Sequence, residues 1–199
     1  MIAKRVFDLF WTLPGLIVLS PIMVGLAVWI RLDSPGPALF CQERVGRFGK
    51  PFRVVKFRTM TANAEGQGSK VTAGGDPRIT RAGVFLRKSK LDELPQLLNV
   101  LKGEMSLVGP RPEVPEYVAR YPDDVRERVL SVPPGITDFA AIEFRNESEL
   151  LAKSQDPGND YLTRVLPQKL AYYERYVIER NMWVDFVLIL RTIVSMFGR

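Results

Sequence analysis

The chain has 199 residues, with 28 Lys and Arg against 22 Asp and Glu, a net charge of +6 and a pI near 9.6. That length limits it to one domain, or one domain with an appendage, and the charge calls for an anionic partner such as phosphate, nucleic acid or lipid headgroups. The sequence holds no histidine, which excludes Ser-His-Asp and Cys-His triads, His-ligated zinc and imidazole acid-base catalysis. Any chemistry must then use carboxylates, Lys, Arg or a metal. The lone Cys41 can close no internal disulfide, which suits a reducing compartment.

Leu9 to Ile30 runs for 22 residues without a charge, enough helix to cover about 33 Å and cross a hydrocarbon core of about 30 Å. A cleavable signal would be shorter and end on small residues, whereas this run ends Trp29-Ile30-Arg31, so retention is favoured. Pro21, after Ser20, removes the amide that would bond the carbonyl of Ile17, which predicts a sharp bend; the Ser20 hydroxyl is placed to satisfy that carbonyl. Lys4 and Arg5 precede the run while Arg31, Arg44 and Arg47 follow it, so neither flank reads as translocated. Two readings stand on these residues: a helix that dips in, breaks at Ser20-Pro21 and leaves on the same side, or a kinked single span. Asp8 lies on one helical face with Arg5 and is expected to pair with it, or to sit as a polar residue at headgroup depth.

Beyond the run, Asp33 to Pro37 is a breaker cluster where the chain must turn. Ala38 to Cys41 and Pro51 to Phe57 are β-prone pieces separated by Gly46 and Gly49, which predicts a hairpin-like unit. Thr61 to Pro77, with Gly66, Gly68, Gly74 and Gly75, reads as a mobile loop and a candidate lid. Arg81 to Arg87 is weakly helical. Leu94, Leu97, Leu98 and Leu101 then recur at helical spacing, predicting an amphipathic helix ended by Gly103. Short helices are expected over Pro115 to Tyr121 and Asp123 to Leu130, a loop from Pro133, and a long helical stretch over Pro167 to Phe197. The aromatic and arginine residues of that stretch suit either core packing or a helix lying on a membrane.

Chemistry concentrates in three places. Asp92 and Glu93 stand just before the leucine helix, where a carboxylate has an innocent role as N-cap, or as partner to Ser89 in a capping-box-like pair. Their basic neighbourhood of Arg87, Lys88 and Lys90 is expected to keep both acids ionised; adjacent carboxylates can share a hard cation such as Mg²⁺, and a helix start accepts phosphate. Gly109-Pro110-Arg111-Pro112 restrains a guanidinium between two prolines, which suits bidentate phosphate binding or makes a plain surface turn. Lys56 and Arg58 alternate on one strand face, as a second phosphate clamp or an exposed charged side.

The motifs KRVFDLF and SPI in the apolar run, RLDSPGP, the stretch from CQERVG to KFRTM, SKLDELPQLLNVLKGEMSLVGPRP and PPGIT together resemble the bacterial monotopic phosphoglycosyl transferases, over almost the whole chain. The resemblance implies transfer of a sugar phosphate from a UDP-sugar to polyprenyl (undecaprenyl) phosphate with release of UMP, at the cytoplasmic face of the bacterial inner membrane. It also implies roles: Asp92 as the nucleophile that carries a covalent phosphosugar in a two-step exchange, Glu93 as its metal-binding partner for Mg²⁺, Arg87 and Arg111 as phosphate ligands, and Ser20-Pro21 as the break of a re-entrant membrane helix. Pro110, Lys56 and Arg58 join the candidate substrate-binding set. After PGIT the sequence departs from the commonest family pattern, with Asp138 in place of Gly and FAAIEFRN following. Asp138 and Glu143 could therefore serve sugar hydroxyls or cap a turn.

The expected fold class is α+β, mainly helical: residues 1–31 as a re-entrant helix-break-helix, and residues 32–199 as a small cytoplasmic catalytic domain with a short β-hairpin and interfacial amphipathic helices. The rival from another class is a noncatalytic membrane scaffold whose basic face holds acidic partners or lipids. Nucleic-acid binding is not expected, because no recognised module is present and anionic headgroups account for the charge.

Overall fold

A computed structural model describes residues 2–62, 64 and 75–197. Helix α1 runs from Ile2 to Asp33 and is followed by an antiparallel hairpin, β1 (Leu39–Val45) and β2 (Pro51–Phe57), in which Leu39 faces Phe57 and Val45 faces Pro51. The hairpin is the one expected, with a longer first strand. Helix α2 (Arg81–Ser89), a 3-10 turn (Leu91–Glu93) and α3 (Gln96–Lys102) come next, and Gly103 closes α3 at φ 86°. Strand β3 (Ser106–Val108) then leads through the Arg111 loop to α4 (Pro115–Val118) and α5 (Asp123–Leu130). Strand β4 (Gly135–Thr137) pairs in parallel with β3, where a plain loop was expected. A Cβ on Gly135 would lie 2.0 Å from the Gly109 amide nitrogen and one on Gly109 2.5 Å from the Pro133 carbonyl, so this approach of backbone to backbone requires glycine on both sides.

The remainder is helical: α6 (Phe139–Glu143), α7 (Glu147–Ala152), α8 (Pro157–Asp160), a π-helical turn (Tyr161–Val165), α9 (Leu166–Glu179) and α10 (Met182–Phe197). The predicted stretch from Pro167 to Phe197 is two helices. Arg180 leaves helical geometry at ψ 126°, and the Asn181 side chain then accepts the Val184 amide at 2.9 Å to start α10. Helix α9 buries Leu170, Tyr173 and Tyr176, whereas Trp183, Leu190, Ile193 and Val194 of α10 are exposed. The largest core cluster joins α4 and α5 to the π-helical turn and α9 through Val118, Val129, Tyr161 and Leu166.

Two expectations about α1 are corrected. The helix is continuous from Ile2 to Asp33, with Pro14 and Pro21 inside it, rather than interrupted at Ser20-Pro21. The reason lies in the expected compensation: Ser20 Oγ donates to the Ile17 carbonyl at 2.8 Å, the acceptor that Pro21 leaves without its amide. Asp8 pairs with Lys4 at 3.0 Å rather than with Arg5, and also accepts from Ser106 Oγ at 3.0 Å and the Leu107 amide at 3.2 Å. Arg5 instead donates to the carbonyls of Val100 and Leu101 at the end of α3, where a cation meets the helix dipole. Lys4 reaches across to Asp185 of α10 at 2.9 Å.

The far end of α1 is fastened as well. Arg58 donates to the carbonyls of Ile30, Ser34 and Pro35, and Asp33 accepts the Ala82 amide at 3.0 Å at the start of α2. Between these ends, Phe10, Ile17, Val18 and Val24 are exposed. The best 18-residue window of α1 has mean hydropathy 2.2 and only 11% of it is buried in the protein, so the helix is long and apolar enough to cross a membrane.

Helix α3 exists as predicted, but its fully buried residues are Gln96, Asn99 and Val100, while the leucine stripe is half-buried and Leu101 exposed. Asn99 explains the inversion. Its amide group accepts from Val55 N at 2.9 Å and donates to Arg53 O at 2.8 Å, so a polar side chain stitches the helix to strand β2.

Candidate active site

The 3-10 turn after α2 places Asp92 and Glu93. Lys90, at φ 58°, ends α2 and redirects the chain, so the two acids precede α3 without capping it. Pro95 occupies the N-cap of α3 with no side-chain bond, and Ser89 Oγ donates back to the Phe85 carbonyl. Neither innocent role holds: Asp92 is no N-cap and makes no capping box with Ser89. Its side chain is buried, and Oδ1 has no hydrogen-bond partner. A bare buried carboxylate oxygen costs free energy unless something else occupies its surroundings.

Glu93 has the opposite surroundings. Lys56 Nζ lies 3.0 Å from Oε1, Arg111 Nη1 donates to Oε2 at 3.2 Å, and Arg111 Nη2 also donates to Oε1. Burial alone would raise the Glu93 pKa, but Arg111 and Lys56 overcome it and hold the carboxyl well below its ordinary value. For Asp92, burial and then the adjacent Glu93 charge push the pKa up, against the pull of Lys56, Arg87 and Lys90. Arg87 and Lys90, expected to favour the ionised acids, do pull the Asp92 pKa down but are outweighed by burial and Glu93; the ion pairs to Glu93 come from the more distant Lys56 and Arg111.

Arg87, from the last turn of α2, donates Nε to Thr59 Oγ1 at 2.8 Å. Burial lowers its pKa, and the Asp92 charge is the largest influence opposing that shift. Gly83 makes this position possible, since a Cβ there would sit 2.0 Å from the Thr59 carbonyl. Lys56 is likewise lowered by burial and supported by Glu93. Of the sequence-derived set, Lys56, Arg87, Asp92, Glu93 and Arg111 converge on one site. Pro110 contributes scaffold, its carbonyl accepting the Gly135 amide at 2.9 Å. Arg58 does not share Lys56's role: β2 ends at Phe57, and the guanidinium turns under the end of α1 to bind its carbonyls.

Sequence reasoning missed the charged layer behind Arg111. Glu113 is buried, accepts from the Tyr161 hydroxyl, and lies 3.5 Å from Arg44 and 4.0 Å from Lys169, which pairs with Glu147 at 2.6 Å. These partners come from β1, the Arg111 loop, α7, the π-helical turn and α9, so no local spacing announces them. Asp138 had a local signal, a polar residue before a helical run. It caps α6 by accepting the Ala141 amide at 2.6 Å. The candidate lid over Thr61 to Pro77 falls largely outside the described residues; its ends are joined where Thr61 N donates to Arg78 O at 2.9 Å.

Among the described residues, no group of three or more Asp, Glu or Cys could hold a metal by itself. A Mg²⁺ site needs less, because that ion is commonly held by one or two carboxylates together with substrate phosphates. The residues fit such an ion, since Asp92 offers a bare buried oxygen beside the second carboxylate of Glu93.

A buried carboxylate beside Lys56, Arg87 and Arg111, next to a long apolar helix, has the makings of an anion-handling site at a membrane. The family described as bacterial sugar transferase matches residues 1–199, and the chain belongs to it. It is 46% identical over 122 residues to a putative undecaprenyl-phosphate N-acetylgalactosaminyl 1-phosphate transferase of Bacillus subtilis, covering 61% of this chain and 68% of that protein. It is 36% identical over 200 residues to a UDP-N-acetylgalactosamine-undecaprenyl-phosphate N-acetylgalactosaminephosphotransferase of Aeromonas hydrophila, covering 98% of this chain but 44% of that one. An exopolysaccharide production protein of Rhizobium leguminosarum is 36% identical over 215 residues, covering 100% of this chain and 97% of that protein.

Proposed function

We propose that the protein transfers a sugar phosphate from a UDP-sugar to polyprenyl (undecaprenyl) phosphate, releasing UMP, as a membrane step of glycoconjugate or polysaccharide assembly. The observation that carries this reading is the state of Asp92: buried, with a bare Oδ1, capping nothing, and flanked by cations already held in place. An Asp92 oxygen attacks the β-phosphorus of the UDP-sugar, the bond from that phosphorus to the bridging oxygen breaks, and UMP leaves with the bond's electron pair. An oxygen of the lipid phosphate then attacks the same phosphorus, the bond to Asp92 breaks, and the carboxylate is restored. Splitting the exchange in two needs no histidine base, because both nucleophiles are anions.

Arg87 and Arg111 bind the diphosphate and offset charge on the transferring group. Lys56 holds Glu93 in the same array. Asp92 and Glu93 would hold Mg²⁺, which when bound neutralises phosphate charge.

The membrane assignment rests on α1 and on what continues its surface. The exposed Trp11 meets the half-buried Phe186 of α10 with ring centroids 6.4 Å apart, and the exposed Trp29 meets the exposed Phe85 of α2 at 5.5 Å, so the apolar surface of α1 adjoins two further helices. Both ends of α1 are fastened to the rest of the chain, so residues 1–31 engage the inner membrane from its cytoplasmic face without crossing it, and residues 32–199 form the catalytic part lying against that leaflet. A soluble nucleotide sugar and a lipid phosphate can then meet at headgroup depth without extraction of the lipid tail.

The test is UMP release from a panel of UDP-sugars by protein in vesicles containing polyprenyl phosphate, with trapping of radiolabelled sugar phosphate on the chain. Labelling of the Asp92→Asn protein at the wild-type level would refute the nucleophile. Cysteines placed at both flanks of α1 should label from one side only; labelling from opposite sides would establish a span.

A further inference from the structure

The loop that carries Arg111 cannot tie itself down. Pro110 and Pro112 have no backbone amide, so the residues flanking Arg111 can be fastened only through their carbonyls, by donors from elsewhere. At Pro110 that donor is a backbone amide, Gly135 N at 2.9 Å. At Pro112 it is a side chain: Arg44 Nη1 donates to the carbonyl at 3.1 Å and lies 3.5 Å from Glu113 Oε2. One residue further, the Val45 amide donates to the Glu113 carbonyl at 3.0 Å. The end of β1 therefore holds the outgoing half of the loop.

The Arg44 guanidinium is itself held. Its other edge, Nε and Nη2, donates to Gln42 Oε1 at 3.1 and 2.5 Å, and Gln42 precedes Arg44 by two residues on one strand face. Phe40 of that face stands opposite Lys56 in the β1-β2 register, so the hairpin turns Arg44 and Lys56 to one side. Lys56 fixes Glu93 at 3.0 Å, and Arg44 fixes the loop whose Arg111 bridges the same Glu93. One strand pair thus sets both ends of the Glu93-Arg111 bridge.

A lysine would not serve. An ammonium is a point charge, whereas the planar fork spans Gln42 on one edge and the Pro112 carbonyl with the Glu113 carboxylate on the other. The placement also carries a cost. Burial lowers the Arg44 pKa, Glu113 opposes that shift, and the neighbouring Arg111 charge lowers it further. Two cations are brought together where a neutral donor would fasten a carbonyl at lower cost. We infer that Arg44 is a positioning residue for the transfer: through the Pro112 carbonyl it sets where the Arg111 guanidinium meets the donor's phosphates, without touching the substrate itself. This inference rests on the phosphate-binding role given to Arg111 above.

The experiment uses the full chain in vesicles containing polyprenyl phosphate and compares UMP release by Arg44→Lys, Arg111→Lys and the double variant. Arg44→Lys keeps the charge opposite Glu113 but not the fork, and should lose about tenfold to a hundredfold in kcat/KM for the UDP-sugar, the order expected when a binding group is misplaced by about 1 Å. In the Arg111→Lys background the same substitution should cost less than about threefold, since residues that act through one another are not additive. A wild-type rate for Arg44→Lys, or losses that multiply in the double variant, overturns the inference. A second arm needs no turnover: the full chain in detergent micelles is labelled with ¹⁵N-arginine, and the Arg111 guanidinium is assigned by its disappearance in Arg111→Lys. Both of its Nη groups are engaged by Glu93, so they should give separate signals in the wild type and merged ones in Arg44→Lys. The same spectrum in both proteins overturns the inference as well. Should the lysine protein not fold, Arg44→Gln takes its place in both arms under the same criteria. If the wild-type chain released no UMP from any UDP-sugar, the proposed function would fail while the Arg111 spectra still judged Arg44.

Discussion

Asp8 and Asp92 are both buried aspartates, at 3% and 9% exposure, yet they are finished differently. Asp8, near the start of α1, receives Lys4, Ser106 Oγ and the Leu107 amide. Asp92, after α2, keeps a buried oxygen with no hydrogen-bond partner. Burying a carboxylate is costly in both places. At Asp8 the cost is offset by donors that join α1 to β3, so the residue holds the architecture together. At Asp92 the cost is left standing, which is what a group reserved for a substrate looks like.

The contrast breaks most sharply under substitution of the two acids. Asp92→Asn should reduce UMP release by more than about 10³-fold, with the thermal unfolding midpoint unchanged or raised, since a desolvated charge is removed. A variant that unfolds early and keeps its activity would reverse the two roles. Glu93→Gln should cost about 10²-fold in activity, because Arg111 and Lys56 lose the charge that orients them.

The same variant carries a pH signature. The Glu93 pKa is depressed in the folded chain, so its contribution to stability is complete above the ordinary value of 4.5 and is lost as pH falls through the folded value. The stability gap between wild type and Glu93→Gln, measured by denaturant titration, should therefore close on acidification below 4.5.

Asp8→Ala should destabilise the chain by about 2–3 kcal/mol in thermal unfolding, as expected for donors stripped of a buried partner. The covalent labelling of Asp92 should persist in whatever fraction remains folded. The smallest effect is expected at Ser20→Ala, about 1 kcal/mol or less, because only the Ile17 carbonyl loses its donor. A much larger loss would show that the hydroxyl holds the geometry of α1 as well as one hydrogen bond.

Local pattern made much of this legible. Apolar length identified α1, alternation and glycine found the hairpin, and Gly103 ended α3 where its φ of 86° requires glycine. The convergence of Lys56, Arg87 and Arg111 near the two acids could be suspected from charge and from the family's motifs. It failed at Arg58, because two residues on one strand face share a role only while the strand continues, and β2 stops at Phe57. It failed again at the leucine stripe of α3, where Asn99 is the buried residue because the facing strand offers backbone groups that only an amide can satisfy.

What the sequence determined by itself was the inventory: no imidazole, one membrane-length helix, two adjacent acids and a guanidinium between prolines. Those follow from residue type and spacing along a single chain. Only the tertiary structure decided which acid is neutralised and which is left bare, that Asp8 belongs to Lys4 and Ser106, and that Glu113 gathers Arg44, Tyr161 and Lys169 from distant segments. Electrostatic identity depends on burial and on partners brought from distant segments, and neither is a property of neighbours in sequence.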